Sequence, residues 1–233
     1  MDLDEAVALY RAHVDDLRAV IGQQRAFLAA RPDVVPQLDD VEAELTYLSV
    51  RAGKPAAVME LGTFHGWSTT WLLSALRDNG TGHLHSFDRV DHVVRSVPAE
   101  LAGDRWTFVH GDVRERLDAV PADLDHLFVD ADHGRRFARW YLAHLFPRVP
   151  AGTPVSVHDV FHLGRARPFA EGGEVLRWLR ARDAAWFTAA RRRAPQNLVA
   201  LDAVRAELGI TGARGTTRNP MIFFRMPAPP PPA

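Results

Sequence analysis

The chain has 233 residues, 47% of them hydrophobic, which is enough for one substantial core and leaves room for a helical extension. A formal net charge of -1 gives no general affinity for polyanions, so nucleic acid is not an expected partner, and the lack of cysteine removes disulfide frameworks and thiolate metal sites. No apolar run approaches membrane-spanning length, and the acidic opening Met1-Asp2-Leu3-Asp4-Glu5 lacks the basic-then-apolar order of a signal peptide, so a soluble cytoplasmic protein is expected.

Residues 3–30 carry Val7, Tyr10, Val14, Leu17, Ile21 and Leu28 at steps of three, four and seven, which predicts an amphipathic helix. That helix either lies on its own domain or serves as a dimer contact or a cap over a site. Pro32 and Pro36 interrupt it, and a second helix follows near 38–50. From Ala56 the pattern changes. Strands are expected at 56–61, 83–87, 106–110, 125–130 and 153–158, with helices at 67–77, 91–100, 113–119 and 134–146 between them. A helix at 172–182, a short strand at 185–188 and a last strand at 221–226 complete the series. Short apolar strands separated by helices indicate an α/β fold with a doubly wound, mostly parallel, seven-stranded sheet. The expected organisation is a helical extension over 1–54, a catalytic domain over 55–226 and an extended, disordered proline-rich tail over 227–233.

The most informative segment is Glu60-Leu61-Gly62-Thr63-Phe64-His65-Gly66-Trp67-Ser68, a strand end, a glycine turn and the first turn of a helix. Gly62 and Gly66 let backbone approach a ligand, and the helix start offers bare amides. The acid argues against a nucleoside pyrophosphate and for a nucleoside bearing an ammonium and a sulfonium, S-adenosylmethionine. A nicotinamide dinucleotide would need G-x-G-x-x-G, and Phe64 breaks that pattern. In a doubly wound sheet, ligands sit beyond the carboxyl ends of the strands. Asp88, 22 residues after Gly66, stands where an acid accepts both ribose hydroxyls. Asp112 can accept from the adenine amino group or cap the next helix, and Asp130, Asp132, His133, His158 and Asp159 follow the fourth and fifth strands. The cofactor-binding candidates are Glu60, Gly62, Thr63, Gly66, Ser68, Asp88, Asp112 and Asp130.

The segment 60–68 resembles motif I of class I S-adenosylmethionine-dependent methyltransferases. Its missing middle glycine is most similar to the small-molecule O-methyltransferase branch, which includes catechol, caffeoyl-CoA and sugar O-methyltransferases. Phe128-Val129-Asp130-Ala131-Asp132-His133 resembles that branch's strand-four motif, which usually ends in lysine, and Val157-His158-Asp159-Val160 resembles a strand-five motif of related methyltransferases. The resemblance covers roughly 55–160 and the final strand. It implies a Rossmann-like methyltransferase fold, a small-molecule acceptor and an enzyme that methylates a hydroxyl on a natural-product or sugar scaffold. It also implies a divalent ion, Mg²⁺ or Mn²⁺, held by Asp130, His158 and Asp159, with His162 as an added ligand if its segment turns helically.

Methyl transfer needs an aligned acceptor that loses a proton, so a base or a metal ion is required. His133 and His158 are the candidate bases, because histidine titrates near neutrality. A lysine base is available only if Lys54, the single lysine, reaches the site. His158 and Asp159 also read as an unmetallated pair. His13, His92, His126 and His144 read as surface or packing residues, and no chemistry is assigned to His65. Arg191-Arg192-Arg193 reads as a solvated face. Acceptor specificity is expected from the N-terminal helix, the loop 161–173 and the stretch 191–220. N- or C-methylation without a metal is an alternative. A nucleoside-binding or metal-dependent hydroxylase-like protein on the same fold is an alternative of another class.

Overall fold

The computed structural model describes residues 1–161, 165–211, 214 and 220–229. His162, part of the loop 161–173, part of the stretch 191–220 and the end of the proline-rich tail lie outside the described residues.

Where one helix is expected over 3–30 there are two, α1 (Leu3–Ala12) and α2 (Val14–Ala30). His13 leaves helical geometry (φ -122°, ψ 25°), and its N–H closes α1 on the Leu9 carbonyl. Asp15 and Asp16 then sit in the first turn of α2, where its dipole favours negative charge. The apolar stripe survives the break, since Tyr10, Leu17, Val20 and Ile21 are all buried within the chain. The next helix, α3 (Asp40–Gly53), starts at a capping box in which Asp39 accepts from the Glu42 N–H and Glu42 accepts from the Asp39 N–H. It ends at Lys54 in left-handed geometry (φ 47°).

The sheet has seven strands in the order β3-β2-β1-β4-β5-β7-β6. Its five parallel members are β1 (Ala57–Leu61), β2 (His83–Asp88), β3 (Trp106–His110), β4 (His126–Val129) and β5 (Pro154–Val157). The strand β7 (Ile222–Arg225) runs antiparallel between β5 and the two-residue β6 (Trp186–Phe187). The doubly wound, mostly parallel, seven-stranded fold with N-terminal helices is as expected. The order reverses at β1, so the loops leaving β1 and β4 diverge and open a crevice at their carboxyl ends.

Alternation along the strands feeds two cores. Val58, Phe128 and Phe223 pack with α1, α2, α3, α4 (Trp67–Asn79) and α9 (Pro195–Glu207). Met59, Leu127, Val155 and Phe224 pack on the other face with α7 (Arg135–His144) and α8 (Glu171–Arg180). The helix α9 was not expected. The helix expected at 91–100 is two pieces, α5 (His92–Ser96) and α6 (Ala99–Ala102), because Pro98 cannot continue a helix. The helix expected at 113–119 is two 3₁₀ turns. No helix among the described residues is long and apolar enough to cross a membrane.

Candidate active site

The chain leaves β1 at Gly62, whose φ of +84° is left-handed and whose N–H donates to the Phe87 carbonyl at 2.9 Å. A Cβ here would lie 1.8 Å from the Asp130 carbonyl oxygen, so the loops after β1 and β4 touch backbone to backbone at this residue. Asp88 organises the turn. One of its carboxylate oxygens accepts from the Thr63 N–H (2.7 Å), the Phe64 N–H (2.9 Å) and the Thr63 hydroxyl (3.1 Å), and the other accepts from the Val90 N–H (3.1 Å). Gly66, at φ +82°, starts α4.

A cavity of about 340 Å³ opens at this point. Six of the expected cofactor residues line it: Gly62, Thr63, Ser68, Asp88, Asp112 and Asp130. Gln37, Arg89 and Arg114 also reach its wall. Gly66 lies off the wall. Glu60 lies behind it, fully buried, where its carboxylate accepts from the hydroxyls of Ser68 (2.6 Å), Thr69 (2.9 Å) and Ser86 (2.6 Å). Burial pushes the Glu60 carboxyl up to about 7 against the pull of those hydroxyls. Its bearing on a ligand therefore runs through Ser68, which lines the cavity. Asp112 both caps the following turn, accepting from the Arg114 N–H at 3.0 Å, and pairs with the Arg114 guanidinium, which holds its carboxyl below the usual range.

The far end of the cavity carries Asp130, His133 and Asp159. One ligand atom from each lies within 4.8 Å of the others. His133 Nε2 stands 3.1 Å from Asp159 and 3.8 Å from Asp130. Its Nδ1 faces Glu171 at 2.9 Å, and the other Glu171 oxygen accepts from the Tyr141 hydroxyl at 2.8 Å. Burial lowers the His133 pKa, but the hydrogen bond and charge of Glu171 outweigh it and the net direction is up. Asp159 holds a left-handed φ of 55°, which aims its carboxylate back toward the strand ends.

His158 directly follows β5, with its Nδ1 3.8 Å from Asp159 Oδ1. It is 5% exposed and is wedged between Asp130 (Nδ1 to Oδ1, 3.1 Å) and Glu42 (Nε2 to Oε2, 3.4 Å). Burial works against its charge, yet the two carboxylates raise its pKa well above the ordinary value. Burial raises the Asp130 pKa, but the charge and hydrogen bond of His158 outweigh it and the net direction is down. With both nitrogens facing carboxylates, it offers no lone pair to the cavity. The structure thus brings His133 to Asp130 and Asp159 within ligand reach, beside the expected contacts of His158 with the same two acids.

The Asp132 carboxylate accepts from the Gly134 N–H (2.7 Å), and His65 Nδ1 accepts from the Val35 N–H (2.9 Å). Lys54 caps α3 at the amino end of β1, across the sheet from the cavity, so the one lysine is not a base here. Glu42 and Glu171 were missed. Glu42 reads in sequence as the second half of a capping box, and Glu171 precedes a Gly-Gly pair in a stretch read as a loop running into a helix. Only the tertiary fold turns these two acids toward histidines.

The seven-stranded sheet, with β7 antiparallel beside β5, is the fold seen in solved methyltransferases. Residues 59–160 match the family model of a methyltransferase domain. No curated protein matches the chain. Among solved structures it is similar to the O-methyltransferase TomG of Streptomyces achromogenes, involved in tomaymycin synthesis and solved with SAM (TM-score 0.58, 19% identity, 88% of each chain covered). It is also similar to an O-methyltransferase of Bacillus cereus in complex with SAH (TM-score 0.57, 16% identity, 96% of this chain and 99% of that one). The SAH-bound methyltransferase PaMTH1 of Podospora anserina is a third (TM-score 0.55, 16% identity, 92% of this chain and 88% of that one). At these identities the likeness establishes the fold.

Proposed function

We propose that the protein methylates an oxygen of a small molecule, with His133 as the proton acceptor when its Nε2 is free and, with Asp130 and Asp159, as a ligand when a divalent ion is bound there. One observation carries this reading: His133, backed by Glu171, meets Asp130 and Asp159 on the wall of the same cavity that Gly62 and Asp88 open. The O-methyltransferase neighbours support oxygen as the acceptor atom.

Bound S-adenosylmethionine supplies an electrophilic methyl group on sulfonium. The backbone around Gly62 fits close approach of such a cofactor, and Asp88 and Asp112 suit its ribose and adenine. Glu171 on Nδ1 leaves His133 Nε2 facing the cavity, where it can take a hydroxyl proton. The same geometry is what a metal-ligating histidine needs, since a carboxylate on the far nitrogen fixes the ring. A carboxylate, imidazole, carboxylate set suits Mn²⁺ as well as Mg²⁺. Residues 1–54 would act as a cap built into the catalytic core. A homodimer through the first helices would have to use their outer faces, because their apolar stripe is buried within the chain.

The test has two steps. Calorimetry with SAH should give saturable one-to-one binding, and no binding at millimolar concentration would sink the cofactor assignment. Phenols, sugars and amines would then be screened for methylation with S-adenosylmethionine. Activity on hydroxyls that EDTA abolishes and Mn²⁺ restores is the expected result. Activity on amines alone would overturn the choice of oxygen, and full activity under chelation would remove the metal. Size-exclusion chromatography decides the dimer.

A further inference from the structure

At the opposite end of the sheet lies a second cavity, of about 260 Å³, between the amino ends of β4 and β5, the carboxyl end of β7 and the helices α1 and α3. Leu9, Val155, Phe223 and Phe224 give it apolar walls. Two polar side chains, each 3% exposed, line it: His126 and Ser156. The Ser156 hydroxyl is buried without a hydrogen-bond partner among the described residues, and the His126 ring makes no hydrogen bond with any of them, its one charged neighbour being Arg225. Buried polar groups are ordinarily satisfied, and each one left alone costs about 1–3 kcal/mol. One water fills only about 30 Å³, so this space exceeds what a single bridging water explains.

The charges at the rim are already engaged. Glu5 pairs with the Met1 ammonium (3.2 Å) and with Arg225 (3.3 Å), and Arg225 also donates to the Gly152 carbonyl (3.3 Å). Burial, with Arg225 nearby, pushes the His126 pKa down to about 4, so its imidazole is neutral at physiological pH and offers one donor and one acceptor. A charged guest would find no free counter-charge and would bear its full desolvation cost.

We infer that this cavity is a second binding site, taking a small uncharged molecule with an apolar body and a polar edge that both donates and accepts hydrogen bonds. The edge meets His126 and Ser156, and the body meets Phe223, Phe224 and Leu9. The location ties it to the first site. By strand alternation His126 shares a sheet face with Asp130, and Ser156 shares one with His158. On α3, Glu42, Thr46, Ser49 and Gly53 follow at helical spacing. Glu42 meets His158, while the other three line the second cavity about 10 Å further along the helix.

Benzamide is a suitable probe, because its flat ring carries a neutral amide. With SAH saturating the first cavity, titration followed by NMR should show one benzamide site with a Kd of about 1 mM, ordinary for so few atoms. The titration is repeated without SAH, so that a failure of cofactor binding is seen separately. Ser156→Ala and His126→Leu should each weaken benzamide about fivefold or more while leaving SAH affinity unchanged. Benzoate, nearly the same shape but charged, should bind at least about fivefold more weakly to the wild-type protein, which tests the idea even where a variant does not fold. A crystal soaked in benzamide should show it against His126. Ordered water alone in that cavity, equal affinity for benzoate, or variants that bind benzamide like the wild type would each overturn the inference.

Discussion

His133 is held by what lies behind it. Glu171 fixes its ring from the far side, so the two residues should act as a unit. His133→Ala should lower methyl transfer about a hundredfold, and a rate within a few-fold of wild type would remove it as the base. Glu171→Gln should weaken Mn²⁺ about tenfold in calorimetry while SAH affinity stays constant. Equal loss of both ligands would mean that Glu171 only supports the fold. Asp130, His133 and Asp159 were legible in the sequence because they follow directly on apolar strand runs, where a doubly wound sheet presents ligands. His158 was legible at the end of the fifth strand, but nothing local says that an acid from a distant helix will face its second nitrogen.

Among the elements, α3 carries the surprise. Its capping box marks a helix start, and the sequence shows that much. The Glu42 side chain then does three jobs, accepting from the Asp39 N–H, accepting from the Met221 N–H at 3.0 Å and facing His158. Removing one partner of a buried pair leaves an uncompensated charge, so Glu42→Ala should cost about 3–5 kcal/mol in urea unfolding. In a double-mutant cycle with His158→Asn the two losses should fall short of additive by about 1 kcal/mol or more. Strict additivity would show that the pair carries no coupling. The elements themselves were largely readable, as the five parallel strands and the antiparallel return fell where apolar runs predicted them. Breaks were harder. Periodicity runs straight through His13, because both halves bury the same stripe, and α9 opens with a proline in a stretch whose arginines and alanines show no clear period.

Across the whole molecule, two buried groups set opposing dependences on pH. Glu60, raised from 4.5 to about 7, holds its proton more tightly when folded. Its contribution is fully present below pH 4.5 and is lost as pH rises to about 7. His126, lowered from 6.5 to about 4, contributes above pH 6.5 and loses that contribution as pH falls toward 4. Glu60→Gln isolates the first effect. The melting temperature of the wild type relative to this variant should drop by roughly 5 °C or more between pH 4.5 and 7. A gap that does not change with pH would show that Glu60 is not held protonated. Neither effect is legible in sequence, because both come from complete burial at positions that strand alternation leaves open.

The contact between Gly62 and the Asp130 carbonyl has a consequence for how such a protein diversifies. With no side chain between them, the loop that suits the proposed methyl donor and the loop that presents Asp130 meet in direct backbone contact, and the Asp130 N–H donates to the Leu61 carbonyl at 2.7 Å beside it, so packing and hydrogen bonding hold them at one separation. On the proposed function, that contact would keep a constant spacing between donor and receiver. Wall residues such as Gln37, Phe64 and Phe137, which make none of these backbone contacts, are then where a change of acceptor would be accommodated.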